Sequence, residues 1–360
     1  MQVMKDYKRL GDYIREVNVR NRELEVTKLV GLTIDKAFIP SVANVIGTDL
    51  SNYKIIRKEQ FACSLMQVSR DGKMPIAMFE EDEAIMSPAY PMFEVIDKET
   101  LLPQYLMMWF SRSEFDREAS YYAVGGVRGS LTWEDFCNMQ LPIPSITRQR
   151  EIVAEYETLT RRIRINEQMI QNLESTAQTL YREMFVDGID KENLPDGWRM
   201  GTLDDLYIFQ YGKGNNNPDN GGKYPVYGSN GIIGWYDEYN SEDAPVIGHI
   251  GINCGEVNYV SGKHYVTYNG IICIIRNVNW RYFGYMSLVA SKIKSQSRGS
   301  SQPFISYDML SDIKVIIPCE KVITIYNEDS KIIFHFVEYC KAENNKLTEL
   351  QSLLLAKMGL

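Results

Sequence analysis

The chain has 360 residues, 44% hydrophobic and 24% charged, with a formal net charge of −8, the composition of a soluble globular protein with room for two domains. No apolar run approaches the roughly 18 residues of a membrane helix, and Met1-Gln2-Val3-Met4-Lys5-Asp6-Tyr7 offers no apolar segment for a signal peptide. Six cysteines (Cys63, Cys137, Cys254, Cys273, Cys319, Cys340) without a Cys-x-x-Cys argue against a disulfide framework or zinc site and for a reducing cytosol, while the acidic balance argues against indiscriminate coating of nucleic acid.

Residues 1–145 form a first domain of mixed α/β content. Short β-branched and aromatic runs such as Tyr53-Lys54-Ile55-Ile56 and Phe93-Glu94-Val95-Ile96 read as strands between turns. Leu101 to Arg117 reads as a helix with Leu102, Leu106, Trp109 and Phe110 on one face. Pro142 and Pro144 then stop a strand and set an extended entry into a long helix spanning 146–186. Its apolar positions Ile152, Tyr156, Leu159, Ile163, Asn166, Ile170, Leu173, Ala177, Leu180 and Met184 step by alternating fours and threes, a coiled-coil seam with Asn166 as one polar member.

Residues 187–196 are polar and punctuated by Gly and Pro, a linker. A second mixed α/β domain follows over 197–318, with Gly270-Ile271-Ile272-Cys273-Ile274-Ile275 as its clearest strand. Pro318 opens a second long helix over 319–360. There Ile333, Val337, Cys340, Asn344, Leu347, Gln351, Leu354 and Met358 repeat the seam, again with an asparagine.

The halves are related. Leu141-Pro142-Ile143-Pro144 matches Val315-Ile316-Ile317-Pro318, and the same offset of 174 carries Leu173 onto Leu347, Leu180 onto Leu354 and Met184 onto Met358. Upstream, Arg128-Gly129-Ser130-Leu131-Thr132 resembles Arg298-Gly299-Ser300-Ser301-Gln302 at an offset of 170, which implies a four-residue indel between the landmarks. The expected architecture is two mixed α/β (α+β) domains separated by two long antiparallel coiled-coil helices, a pseudo-twofold repeat.

Catalytic chemistry is sought and not found. His249, His264 and His335 have neither a Cys nor a second His at ligand spacing and read as surface or packing residues. Gly212-Lys213-Gly214-Asn215 is not a P-loop, and Ser87-Pro88-Ala89-Tyr90, the nearest approach to a base-flipping methyltransferase tetrad, reads as a turn. Asp49 with Asp71-Gly72-Lys73 meets the loosest spacing of a metal-dependent nuclease, but Asp-Gly between Met66–Ser69 and Met74–Ala77 reads first as a hairpin turn. Glu80 to Glu83 is a solvated acidic loop.

Material for contacting nucleic acid does stand out. Between Glu256 and Asp308 there is no acidic residue, while Lys263, Arg276, Arg281, Lys292, Lys294 and Arg298 lie in that interval. Lys292, Lys294, Gln296 and Arg298 are donors for phosphates and base edges. Lys213, Asn215, Asn216 and Asn230 sit on glycine-bearing loops, where an asparagine can pair bidentately with adenine. In the first half the counterparts are Arg70, Lys73, Tyr121, Tyr122 and Arg128.

The order of these segments resembles the specificity (S) subunits of type I restriction-modification enzymes along the whole chain. The residues that carry the resemblance are Leu194-Pro195-Asp196-Gly197-Trp198, Leu203-Asp204-Asp205-Leu206, Tyr224 to Gly234, Gly251-Ile252-Asn253-Cys254-Gly255, and Leu141-Pro142-Ile143-Pro144 leading into Arg148-Gln149-Arg150-Glu151-Ile152-Val153. The resemblance implies two target recognition domains on a helical spacer, reading a bipartite double-stranded DNA site with an unread gap. A helix of about 36 residues spans roughly 54 Å, enough to hold two readers about one DNA turn of ~34 Å apart.

It further implies a cytoplasmic, phage-defence protein with no catalytic site, cofactor or metal of its own. Two methyltransferase (M) subunits would bring S-adenosylmethionine, and restriction/translocase (R) subunits ATP and Mg. Glu320 to Ile325 departs from Arg148 to Ile152, which implies unequal docking of partners, and the first half starts at Tyr7 to Asp12 without a Pro-x-Gly-Trp entry. The rival readings are the nuclease above and a coiled-coil adaptor that reads no sequence.

Overall fold

The computed structural model describes residues 7–41, 47–66, 68–124, 129–214, 218–299 and 301–359. The chain divides into two compact units, one of residues 1–164 with 344–360 and the other of 165–343, so each long helix contributes to both.

In the first unit, four antiparallel strands lie in the order Ile14–Glu16, Met92–Val95, Phe61–Cys63, Ile76–Met78, beside the pairs Val30–Leu32/Phe38–Pro40 and Lys54–Arg57/Glu83–Met86. Phe61 and Phe93 stack at 5.0 Å, and Phe110, Phe115 and Phe136 close over them. Each is at most 1% exposed, and burying such a side chain contributes roughly 1.5–3 kcal/mol. The expected single helix from Leu101 to Arg117 is two, Pro103–Phe110 and Ser113–Ala123. Pro103 opens the first, and the break at Ser111-Arg112 lets both faces pack on the sheet, with Arg112 buried over the Trp109 ring at 4.1 Å.

The Asp71-Gly72 pair is not a hairpin turn. Val68–Asp71 is a helical turn, ended by Gly72 at φ +65 with its N–H on Val68 O, a left-handed terminus for which glycine carries no Cβ penalty.

In the second unit, six strands run Tyr207–Tyr211, Gly270–Ile275, Ser241–Gly248, Val257–Val266, Tyr224–Gly228, Gly231–Tyr236. All neighbours are antiparallel except the register Val226↔Tyr265, Tyr227↔Val266. Ile271, Ile272 and Cys273 are buried on both faces, which is why that run reads as continuous apolar sequence. Helix Arg281–Ala290 covers one face, and Tyr181, Phe185, Phe283 and Tyr326 interlock there with centroids 5.2–6.0 Å apart.

Both units repeat one ground plan. The entry strand Tyr7–Arg9 pairs with Gln140–Pro142 as Arg199–Thr202 pairs with Lys314–Ile317, and Leu10 N donates to Met139 O as Leu203 N does to Ile313 O. The 174 offset persists upstream of the prolines. Leu131 and Ile305 are the buried equivalents, and Thr132 and Ser306 both cap the next short helix, accepting from the N–H three residues on. Equating Arg128–Thr132 with Arg298–Gln302 is therefore incorrect, and no indel falls between cap and prolines.

The long helices are Ile146–Phe185 and Glu320–Met358. Within the first unit Gln351 Nε2 donates to Thr160 Oγ1 (2.7 Å), and Leu159 and Ala154 lie with Leu350 and Leu354. In the second, Asn166 Nδ2 donates to Glu343 Oε2 (2.7 Å) and Tyr326 Oη to Ala177 O. Rising numbers on one helix meet falling numbers on the other, an antiparallel pair in each unit. Every seam residue read from the sequence, including Ile163, Ile170, Leu173, Leu180, Val337, Asn344, Leu347 and Leu354, is buried or half-buried. The departure at Glu320 to Ile325 has a structural reason. Gln149, fully buried, accepts from Leu102 N at the start of helix Pro103–Phe110 (2.9 Å), whereas in the second half Ile323 joins the core. Asn327, one turn later, there accepts from Tyr282 N and Phe283 N at the start of Arg281–Ala290.

Candidate nucleic-acid interface

In the second unit the strand connections converge on one cluster of loops. Arg298 and Phe304 exchange backbone hydrogen bonds (2.9 and 2.8 Å), Gly251 N donates to Pro303 O, and Ile305 N donates to His249 O. His249 Nδ1 lies 2.6 Å from Ile305 O, so the buried ring carries its proton there. Ser229 Oγ donates to Asn269 O and accepts from Ile250 N, Asn253 Nδ2 donates to Asn230 Oδ1 (2.9 Å), and Tyr268 N donates to Gly214 O. Arg298, the turn Gly251–Gly255, Asn230 and Lys213 are thereby tied into one continuous surface.

Two glycines show why these loops need the residue. A Cβ on Gly212 would collide with the carbonyl oxygens of Val266 and Thr267, and one on Gly255, at φ +79, with the backbone of Lys294. Tyr211, His249, Tyr268 and Tyr307 pack together at 4.6–5.5 Å, with Tyr268 and Tyr307 exposed, and burial pushes the Tyr211 hydroxyl above its ordinary range.

The acid-free interval of the sequence does not stay acid-free in space. Lys294 pairs with Glu256 (2.8 Å), Arg276 with Asp204 (3.2 Å) and Arg281 with Asp243 (3.5 Å), all carboxylates from outside the interval. Lys263 lies on the Tyr239 ring, and that hydroxyl holds its ammonium above the usual lysine value. Among the described residues, exposed Lys213, Lys292 and Arg298 have no carboxylate within ion-pair distance. Gln296 turns back, Nε2 donating to Ser291 O (2.9 Å). Arg276 is thus a brace for the Leu203–Leu206 turn, and Lys292 and Arg298 are the cations left for an anionic ligand. Asn215, Asn216 and Arg128 lie outside the described residues.

In the first unit, Arg70 and Lys73 lie on the turn packed against helix Ser113–Ala123, which carries Tyr121, 77% exposed. Arg70 pairs with Asp71 (2.7 Å), which holds the Asp71 carboxyl below the usual carboxylate range, and Lys73 pairs with Asp35 (3.2 Å). Asp49 accepts from Ser51 N, Ser51 Oγ and Asn52 Nδ2. Asp49, Asp71 and Lys73 are each engaged locally, and the described residues contain no group of three or more His, Cys, Asp or Glu suited to a metal ion. His249 and His264 are packing residues and His335 is exposed; all six cysteines are free. No helix is long and apolar enough to cross a membrane among the described residues.

Ile252, Asn253, Ser229 and Asn269 also lie in this loop cluster, although residue type alone does not single them out. The signal was present in Gly251-Ile252-Asn253-Cys254-Gly255, two glycines bracketing a short polar and aliphatic tip.

Residues 195–352 match the family model of the type I restriction modification DNA specificity domain. Over 99 residues the chain is 27% identical to the type I restriction enzyme EcoprrI specificity subunit of Escherichia coli, a match that spans 26% of this chain and only 24% of that relative. The crystal structure of the type I restriction-modification S subunit from M. genitalium shares the fold over 100% of this chain and 98% of its own, with a TM-score of 0.59 at 16% identity. Residues 195–352 thus resemble the type I restriction modification DNA specificity domain, and the chain as a whole shares its fold with the M. genitalium S subunit.

Proposed function

We propose that the protein is the non-catalytic subunit that selects the DNA sequence for a type I restriction-modification complex, with one half-site of a bipartite duplex target read by each half of the chain. The observation that carries the reading is the loop surface of the specificity domain. It presents Lys213, Lys292 and Arg298, with no carboxylate within ion-pair distance among the described residues, beside the Asn230 and Asn253 amides on glycine-built turns. Phosphate contacts supply affinity and base-edge contacts specificity, and that surface has both kinds of donor.

The long helices would present docking surfaces for two methyltransferase subunits, which supply S-adenosylmethionine, and for restriction/translocase subunits, which supply ATP and Mg. Such a complex works in the cytoplasm. A metal-dependent nuclease finds no support in Asp49, Asp71 or Lys73, and an adaptor blind to sequence leaves the loop surface without a use.

The test is methylation mapping in cells with and without the gene, paired with assays of the purified chain with S-adenosylmethionine and Mg. Methyl-adenine at one bipartite site should disappear with the gene, and the chain alone should neither methylate nor cut. Turnover by the chain alone, with contaminating subunits excluded by mass spectrometry, would contradict the proposal.

A further inference from the structure

Ile252 is 81% exposed, the highest value among the exposed large hydrophobic residues described, and it stands on a turn that is rigid beneath it. Gly251 N donates to Pro303 O, Cys254 N to Gly251 O, Gly255 N to Gly248 O and Glu256 N to Asn253 O, while Cys254 is buried with Sγ on His249 O. An aliphatic side chain held outward by that many bonds has no internal role, since nothing among the described residues of its own unit covers it.

Its neighbour Asn253 donates to Asn230 Oδ1. That bond leaves the two side chains, among the described residues, with one free amide NH2 and one free amide oxygen, and it leaves the same set if both amides are turned over. One donor and one acceptor side by side complement the N7 acceptor and N6 amino group of adenine in the major groove, and an aliphatic side chain beside them complements the 5-methyl group of thymine.

Resting on the DNA-reading function above, we propose that Asn253 with Asn230, and Ile252, form one composite reader of an A·T base pair in the half-site of the second unit, the amide pair taking adenine and Ile252 the thymine methyl.

The experiment uses the full-length chain. Duplexes enriched from a random pool define its target, and A·T pairs of the second half-site are rebuilt with deoxyuridine for thymine or 7-deazaadenine for adenine. At one pair, the unsubstituted chain should lose about threefold to fourfold on uracil and roughly fivefold or more on 7-deazaadenine. Ile252→Ala should bind thymine and uracil duplexes equally, and Asn253→Ala adenine and 7-deazaadenine duplexes equally. Both should keep the preference in the other half-site, which shows that the fold is retained. Uracil sensitivity that survives Ile252→Ala, or deazaadenine sensitivity that survives Asn253→Ala, overturns the inference while leaving sequence reading in place. A chain that enriches no sequence overturns the reading it rests on, and the inference with it.

Discussion

Lys36 and Asp116 make the ion pair on which the first unit's candidate surface depends. The Lys36 ammonium lies 2.9 Å from Asp116 with side-chain exposures of 9% and 13%, and it also donates to Phe110 O. Asp116 further accepts from Met74 N (3.0 Å), so the pair ties the 30–40 hairpin and the turn bearing Arg70 and Lys73 to the helix bearing Tyr121. At an effective dielectric near 20, charges this close attract by about 6 kcal/mol. Desolvation of two buried ions offsets most of that, so the intact pair contributes little net. Removing one partner is different, because a buried charge is left behind.

Lys36→Met should cost roughly 3–5 kcal/mol, whereas Lys36→Met combined with Asp116→Asn, which keeps an acceptor for Met74 N, should recover most of the loss. Hydrogen exchange of the Phe115 to Ala119 amides reads this directly. Exchange in the single variant should accelerate by about two to nearly four orders of magnitude. Burial also holds Lys36 below the ordinary lysine value of 10.5. Between its folded pKa and 10.5 the unfolded chain binds more protons, so this group makes stability rise with pH through that window, and Lys36→Met should remove that rise. Equal exchange rates in single and double variants would refute the reasoning.

The cations of the second unit should separate by their partners. Lys292→Ala or Arg298→Ala should each lower the slope of log affinity against log salt by about 1, while Lys294→Ala and Arg276→Ala, whose charges are already paired, should lower it less; four equal changes would contradict this. Asn166→Leu should raise the melting temperature by a few degrees, since the half-exposed Glu343 carboxylate regains water while an apolar side chain enters the seam. It should also relax the register that a buried asparagine enforces, and calorimetry that shows destabilisation with unchanged specificity would count against that role. Gly255→Ala should cost roughly 1–3 kcal/mol by strain and collision with Lys294, whereas Gly262→Ala, also at positive φ but facing open space, should cost less in the same urea titration.

Period and offset were the legible features. The seam positions follow from helical geometry alone, and the repeat follows because both helices leave the same kind of strand at the same distance from a capped turn. What the sequence hid depends on approach between distant segments. Glu256, Asp204 and Asp243 neutralise Lys294, Arg276 and Arg281 from beyond the acid-free interval, so local charge overstated the basic surface. Asp71-Gly72 admits both a hairpin and a helical terminus, and the packing of Val68 into the core decides for the latter. Asn253 meets Asn230 only because the strand order places Val257–Val266 beside Tyr224–Gly228, a neighbourhood that no spacing announces.

The central claim is that the two halves read separately. The direct measurement replaces residues 197–318 with the second domain of a type I specificity subunit and maps methylated adenines in cells carrying the hybrid. The account predicts a new second half-site beside the original first one; a hybrid that changes both halves of the recognised sequence, or neither, would contradict it.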